Sequence, residues 1–457
     1  MVKKLKLLIP IGLLLGGLTG AASAADRGFV VRLKGNANAG AVAARHGLTV
    51  TRSLSGSGAG VHVLSAPNGQ DVWRVIQSLA TDPAVQAAEA DVPMLLPGMK
   101  AAAQVHPASA TPPAFPINGT LTRYYTGWAA QGYINQPAVG IINLSDAHKV
   151  ATGAGKVAVI DTGVDLFQPV LFGSVVPGWD FVNNVPGGQE RADVNQETTP
   201  ILDQETTPIL DQETTPILDG GSAIILNQET TPILDQETTP ILDSRRFPAY
   251  GHGTMVAGLI HLVAPNAKIM PVRTFGADGT ATISQIVAAI YYAVDNGAKV
   301  INMSFSTKVP SDSLRGALDF ASSRGVICVA AAGNDGQAEV VFPASYNSVI
   351  DVASTNNSEV RSLFSNYGSE ITLAAPGEAV ITTYPGLHYA EVWGTSFSTP
   401  LVAGAAALLV DVKGNVTPAE ATDLLTQAAV KIGQELGAGE LNLSQAVNNL
   451  SRRGSGN

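Results

Sequence analysis

Four short runs in this chain carry side chains able to do chemistry on a carbonyl group. They are VAVIDTGVD around Asp161, GHGTMVAG around His252, VICVAAAGNDG ending beyond Asn334, and GTSFSTPLVAG around Ser396. A serine hydroxyl is a weak nucleophile until a histidine takes its proton. That histidine in turn needs a buried carboxylate to hold its tautomer and stabilise the imidazolium. Asp161, His252 and Ser396 supply one of each, set among glycines that let backbone approach backbone. Attack on a carbonyl also puts negative charge on its oxygen, which calls for donors fixed in advance, and the side chain of Asn334 fits that role. Singly, each run has a plainer reading: a buried parallel strand, a glycine-rich helix start, a left-handed turn after a strand, a capped helix rich in Ser and Thr. Their occurrence together, in this order, is a far more demanding coincidence.

Elements of a particular kind must position these groups. KVAVID, AKIMPVRTF, VINMSF, VICVAA and VIDVAS are continuous apolar runs, expected as buried parallel strands. Helical stretches such as TISQIVAAIYYAVDNG and SDSLRGALDFASSRG separate them. The expected fold is α/β, a doubly wound and mostly parallel sheet with helices on both faces and the site at the carboxyl ends of its strands. STPLVAGAAALLV predicts a helix beginning near Ser396, which puts the nucleophile at the positive end of the dipole, with Pro400 in the first turn. Ala403, Gly404, Ala405, Ala406 and Ala407 make it a narrow rod for a crowded core. About a dozen apolar residues fall short of the roughly 20 that span a bilayer. The G-x-S-x-G motif of esterases is absent, because position 398 is Ser.

The order Asp, His, Ser is that of subtilisin. Further stretches resemble the same family: GVDLFQPVLFGSVVPGWDFV, APNAKIMPVRTFGADG, NGAKVINMSFS and RSLFSNYGSEITLAAPGEAV. The similarity covers most of residues 139 to 450, so the chain resembles the subtilisin-like serine proteases, or subtilases. That resemblance implies an endopeptidase acting on polypeptides through an acyl-enzyme. Asp161, His252 and Ser396 would be the catalytic residues, with an oxyanion hole made by Asn334 and the backbone N–H of Ser396. It also implies that Ser304, Phe305 and Ser306 pair with substrate backbone by strand addition, facing a wall made by Ala330, Ala331, Ala332 and Gly333. The chain departs from the family pattern at Gln168 and Leu401, where the family usually has His, and at Phe397, where it has Met or a similar residue. At Ser306 it usually has Gly, so the side chain here narrows the approach. Seven histidines without HExxH or paired cysteines imply no catalytic metal and no cofactor for catalysis. Structural calcium is common in the resembled family, but no loop of this sequence secures it. Two alternatives share the residues: a catalytically silent binding or adhesion protein on the same scaffold, and an esterase using the same three groups.

The chain opens with a different message. Lys3, Lys4 and Lys6 precede an apolar run from Leu7 to Leu18 and then Ala22-Ser23-Ala24, the pattern of a cleaved secretory signal over residues 1–24. Export, to the exterior or a periplasm, is the expected fate, with no membrane association once the signal is removed. Cys328, the single cysteine, has no partner for an internal disulfide and reads as buried filler. Residues 26–97 read as strand, helix, hairpin, helix (FVVRL, AGAVAARHG, LTVTRSL with VHVLSA, DVWRVIQSLA), a small α+β, ferredoxin-like unit. It resembles the subtilase propeptide, an intramolecular inhibitor and folding aid, and so implies a zymogen. Residues 98–117, rich in Ala and Pro, read as an exposed linker, and residues 118–450 as the catalytic domain.

That domain is interrupted at 195–243 by an eight-residue repeat. NQETTPIL and two copies of DQETTPIL are followed by a degenerate DGGSAIIL, then NQETTPIL, DQETTPIL and a closing Asp243. The insert holds ten acids and no Lys or Arg, against 37 acids and 27 bases in the whole chain. The remaining 27 acids balance the 27 bases, so the net charge of -10 belongs to the insert alone. Overall charge therefore points to no acidic or basic partner and removes nucleic acid binding. Proline in every intact unit works against a long helix or a central strand, and the expected state is a solvated loop at the surface, outside the catalytic cleft. Tandem copying of a short DNA stretch accounts for such near-identical units, and an EF-hand glycine spacing is absent.

Overall fold

A computed structural model describes residues 28–96, 121–190, 223–227 and 249–454, apart from 55, 59, 68, 69, 387 and 434. The expected signal over 1–24, the linker over 98–117 and most of the repeat lie outside the described residues.

An eight-stranded sheet forms the frame. Its spatial order is Val185–Pro186, Trp179–Asp180, Lys268–Arg273, Lys156–Asp161, Ala298–Met303, Ile327–Ala331, Val349–Thr355 and Leu373–Pro376. Every neighbouring pair is parallel except the first, an antiparallel edge. Alternation along the strands divides the interior into two cores. Val157 and Val159 face a core with the helices His252–Val263 and Thr395–Lys413. Ala158 and Ile160 face the other, with Ile283–Asp295 and Asp312–Ser323. This is the expected doubly wound arrangement, and runs apolar on both faces are what it requires.

Where the two long central helices cross, a Cβ on Gly404 would lie 2.6 Å from Val263 Cβ, so only glycine lets them approach this closely. Thr395–Lys413 is the one helix among the described residues long and apolar enough to cross a bilayer, and it is packed inside the domain. Pro400 is its sixth residue, not part of its first turn as expected. A proline there has no N–H to give the carbonyl four residues back, which is that of Ser396. The hydroxyl of Ser304 donates to that oxygen instead, at 2.8 Å, and so relieves the unpaired group.

A second, four-stranded antiparallel sheet has the order Thr49–Ser53, Val61–Ser65, Gly28–Leu33, Val85–Ala90, and carries the helices Ala39–Arg45 and Val72–Thr81 around a core of its own. It does not stand apart. Val30, Val61, Met94 and Leu96 share the core of the large sheet's second face. Pro93–Leu95 pairs antiparallel with Thr280–Thr282. Two carboxylates then meet two helix starts. Asp91 accepts from the backbone N and the hydroxyl of Ser284 at 2.8 and 2.6 Å, and Glu89 accepts from Ser311 Oγ and Ser313 N, both at 2.9 Å. Helix N-termini have unpaired N–H groups and a positive end, so acids are favoured there.

Within the repeat, Ala223–Asn227 pairs in parallel with His388–Trp393, itself paired antiparallel with Val380–Tyr384. This corrects the expectation of a solvated loop for that unit. The physical reason lies in its sequence: DGGSAIIL is the unit without proline, so every residue of AIIL keeps the N–H a ladder needs.

Several acids are buried with no salt bridge among the described residues. Burial pushes Glu391 and Glu440 up to about 7, with the nearby Thr355 hydroxyl opposing the second and the charge of Glu359 adding to it. Burial, and then the charge of Glu370, raise Asp351 well above its ordinary value. A carboxyl whose folded pKa exceeds its unfolded one contributes stability that is complete at pH below the ordinary carboxyl range. That contribution is lost as pH rises through the folded value. The thermal midpoint of the chain should therefore fall between about pH 5 and 8, with Glu440 alone contributing on the order of 1–3 kcal/mol of the loss. Calorimetry at the two pH values, with Glu440→Gln as the variant that loses less, checks this; equal midpoints would contradict it.

Candidate active site

The four chemistry-bearing side chains of the sequence all stand at the carboxyl end of the large sheet. Asp161 ends its strand. His252 opens the helix His252–Val263 after Gly251, whose φ of 92° is left-handed. Ser396 is the second residue of Thr395–Lys413, and Asn334 follows Ile327–Ala331 after Gly333 at φ 97°. The glycines of DTG and GHG have a shared purpose. A Cβ at Gly253 would sit 2.0 Å from the carbonyl of Gly163, so the histidine helix rests backbone to backbone on the turn after the acid.

Asp161 and His252 are joined. His252 Nδ1 lies 2.7 Å from Asp161 Oδ1, and the same oxygen accepts from the backbone N of Thr162 at 2.7 Å. A carboxylate only accepts, so Nδ1 carries the proton and Nε2 is left as the basic nitrogen. Both side chains are buried. Burial by itself would lower the pKa of His252; the charge of Asp161, its hydrogen bond and the charge of Glu190 together outweigh it and hold the imidazole above its ordinary value.

Ser396 sits in the same buried region, one residue before Phe397, whose ring tilts against His252 with centroids 5.7 Å apart. The hydroxyl is turned away from the base. It donates to the carbonyl of Ser304 at 3.1 Å, and His252 Nε2 has no hydrogen bond among the described residues. Of the two links in the relay, that between Asp161 and His252 is made as a hydrogen bond, and that between His252 and Ser396 is not.

Asn334 is oriented by its neighbour. Its Oδ1 accepts from Thr395 N at 2.9 Å and Thr395 Oγ1 at 2.8 Å. A backbone N–H can only donate, so the amide oxygen must face Thr395 and the NH2 group becomes the donor end. Ser396 N lies in the first turn of its helix, where N–H groups have no intrahelical partner.

The proposed substrate-contacting residues divide. Ser304, Phe305 and Ser306 follow the end of the interior strand Ala298–Met303; Ser304 and Phe305 are buried, with Phe305 against Phe275 at 5.1 Å, and Ser306 is half-buried. Ala330, Ala331 and Ala332 are buried in the cores. At Gly333 a Cβ would meet the Asn366 amide at 2.6 Å and the Ser306 hydroxyl at 3.5 Å, so the two segments do come together there. Gln168, the departure from the expected His, is spent on the carbonyls of Tyr384 and His388 at 2.8 and 3.1 Å. Among the described residues no cluster of three or more metal-ligating side chains occurs.

One buried group beside the site was not anticipated. Glu190 contacts both Thr162 and the start of the histidine helix. It lies 29 positions after Asp161 and 62 before His252 in no motif, so nothing local in the sequence marks it.

The chain is similar to known proteins over most of this domain. A model of the subtilase family matches residues 153–453, and one described as an open reading frame 2 N-terminal domain matches residues 13–95. Thermitase from Thermoactinomyces vulgaris is 34% identical over 279 residues, covering 59% of this chain and 79% of the relative. Subtilisin BL from Lederbergia lenta is 39% identical over 208 residues, covering 43% and 77%. The crystal structure of a cold adapted subtilisin-like serine proteinase aligns at 27% identity and a TM-score of 0.48, over 64% of this chain and 88% of that one. With a family match spanning well over half its length, the chain belongs to the subtilase family and is a serine endopeptidase.

Proposed function

We propose that this endopeptidase cleaves polypeptides with Ser396 as nucleophile, His252 as general base and then acid, Asp161 as the group that orients and stabilises His252, and Asn334 with Ser396 N as the oxyanion hole. The observation that carries the reading is the 2.7 Å contact between His252 Nδ1 and Asp161 Oδ1 at the strand ends. The fixed amide of Asn334 supports it. Ser396 takes up its role when its χ1 leaves the Ser304 carbonyl for another staggered well. In the acylation step Oγ bonds to the substrate carbonyl carbon as its proton passes to Nε2. That proton then leaves on the amine as the C–N bond breaks, and water repeats the sequence to release the acid. Neither a metal nor a cofactor enters these steps.

Residues 26–97 act in this reading as propeptide, inhibitor and folding aid, so the chain is made as a zymogen and exported by the signal at 1–24. Support for the propeptide role comes from the strand Pro93–Leu95 laid on Thr280–Thr282 and from the two carboxylates at helix starts. Each cap of this kind contributes about 0.5–2 kcal/mol. Substituting both Glu89 and Asp91 by alanine in a Ser396→Ala precursor should therefore cost about 1–4 kcal/mol in a denaturant titration. An unchanged midpoint would deny the caps their part in docking.

Labelling of the exported protein by a fluorophosphonate tests the active-site reading. The probe should attach to Ser396 alone, and mass spectrometry should find a mature N-terminus beyond residue 97. A chain that stays unlabelled is the catalytically silent scaffold instead.

A further inference from the structure

Glu190 takes no part in the roles assigned above, yet its carboxylate is the most heavily bonded one beside them. It is 1% exposed. Oε1 accepts from the Thr162 hydroxyl and from Gly251 N at 2.8 Å; Oε2 accepts from Thr254 N at 2.9 Å and from the Thr254 hydroxyl. The two hydroxyls have their own acceptor positions filled, Thr162 Oγ1 by Gly253 N at 2.9 Å and Thr254 Oγ1 by Asp165 N at 2.8 Å. Both hydroxyl protons can therefore point at Glu190, and Thr162 Oγ1 also lies 3.3 Å from Asp161 Oδ1. Four donors and no acceptor surround the carboxyl, an arrangement suited to the anion. Burial works the other way and, against the hydrogen bonds from Thr162 and Thr254, holds its pKa at about 7. The ionisable groups around it are Asp161, His252, Tyr384 and Asp165, with Arg273 occupied by Thr162 O and Asp180.

These bonds join the residue after Asp161 to the residues on either side of His252. We propose that Glu190 is a positioning residue for the acid–base pair, clamping the strand end that carries Asp161 to the helix start that carries His252 and adding a second negative charge that favours the His252 imidazolium. This rests on the roles given to Asp161 and His252 under the proposed function. The clamp accounts for the extra length of side chain: a carboxylate buried under the turn reaches both backbone segments at once. The charge accounts for its place behind the pair rather than in the cleft.

The test is the pH dependence of kcat/KM on a peptide substrate for the full chain and for Glu190→Gln and Glu190→Asp. For Glu190→Gln, kcat should fall about tenfold or more with KM within about twofold, and the acid limb should move down by about half a pH unit or more, because an imidazole with one fewer negative neighbour loses its proton more readily. Glu190→Asp keeps the charge and shortens the reach, so kcat should fall while the acid limb stays in place. A Glu190→Gln profile that superimposes on the parent, or that is merely lower with an unshifted limb, overturns the proposal. If Glu190→Gln does not fold, the aspartate variant decides: full kcat removes the clamp, and a shifted limb removes the charge. Activity surviving in Ser396→Ala would instead refute the underlying reading, whereas an inactive Ser396→Ala beside an unshifted Glu190→Gln refutes this inference alone.

Discussion

Ser396→Ala should abolish peptide hydrolysis, lowering kcat about a millionfold, the magnitude known from a subtilisin. The fold should hardly notice. The hydroxyl makes one hydrogen bond, to the Ser304 carbonyl at 3.1 Å, and a single bond of this kind contributes about 1 kcal/mol. Loss of activity with an unchanged thermal midpoint is therefore the expected pair of results, together with a precursor that keeps residues 26–97 attached in a gel. Substantial turnover by the purified variant would mean that another group attacks the carbonyl.

Asp161→Asn has the next largest expected effect, a fall in kcat of about ten-thousandfold, the order known for loss of the acid in a subtilisin. The geometry makes this substitution informative about cause. Oδ1 takes the bonds from His252 Nδ1 and Thr162 N and a longer one from the Thr162 hydroxyl, while the buried Oδ2 has no partner among the described residues. An asparagine can keep its oxygen where these donors already are and turn its NH2 into the unoccupied side, so the imidazole keeps its tautomer. What disappears is the charge. Since that charge holds the His252 pKa up, its removal should also carry the acid limb of kcat/KM to lower pH. A loss of less than about tenfold would show that orientation alone suffices.

Much of this architecture can be read from the chain before folding, and the parts that cannot share physical reasons. The strands of the large sheet are continuous apolar runs because both of their faces are covered, and such runs stand out in a sequence. The outermost strand Val185–Pro186 and its neighbour Trp179–Asp180 are two residues long, too short for any period to show. Val380–Tyr384 is buried along its whole length but carries Thr382 and Thr383, whose hydroxyls donate to the carbonyls of Met255 and Thr254 in the histidine helix. Polar residues in a core blur the pattern that identifies a strand, and only the helix they serve explains them. Asp161, His252, Asn334 and Ser396 are legible because each sits in a glycine-marked turn of fixed local shape. Glu190 is not, since its partners are assembled entirely by tertiary contact. Pro400 shows the converse. It stands one turn further into the helix than the sequence predicts, because its tolerance depends on Ser304, a hydroxyl nearly a hundred positions away.

The pairing of Ala223–Asn227 with His388–Trp393 bears on how the repeat tract evolves. Among the described residues the proline-free copy pairs with the body of the enzyme, and the strand it joins leads directly to Ser396. Slippage during replication can add or delete proline-bearing copies on either side of that anchor, and each doubling of loop length costs only about 0.6 kcal/mol. A change in copy number should thus cost the fold little, whereas a proline placed within AIIL would remove an N–H that the ladder needs.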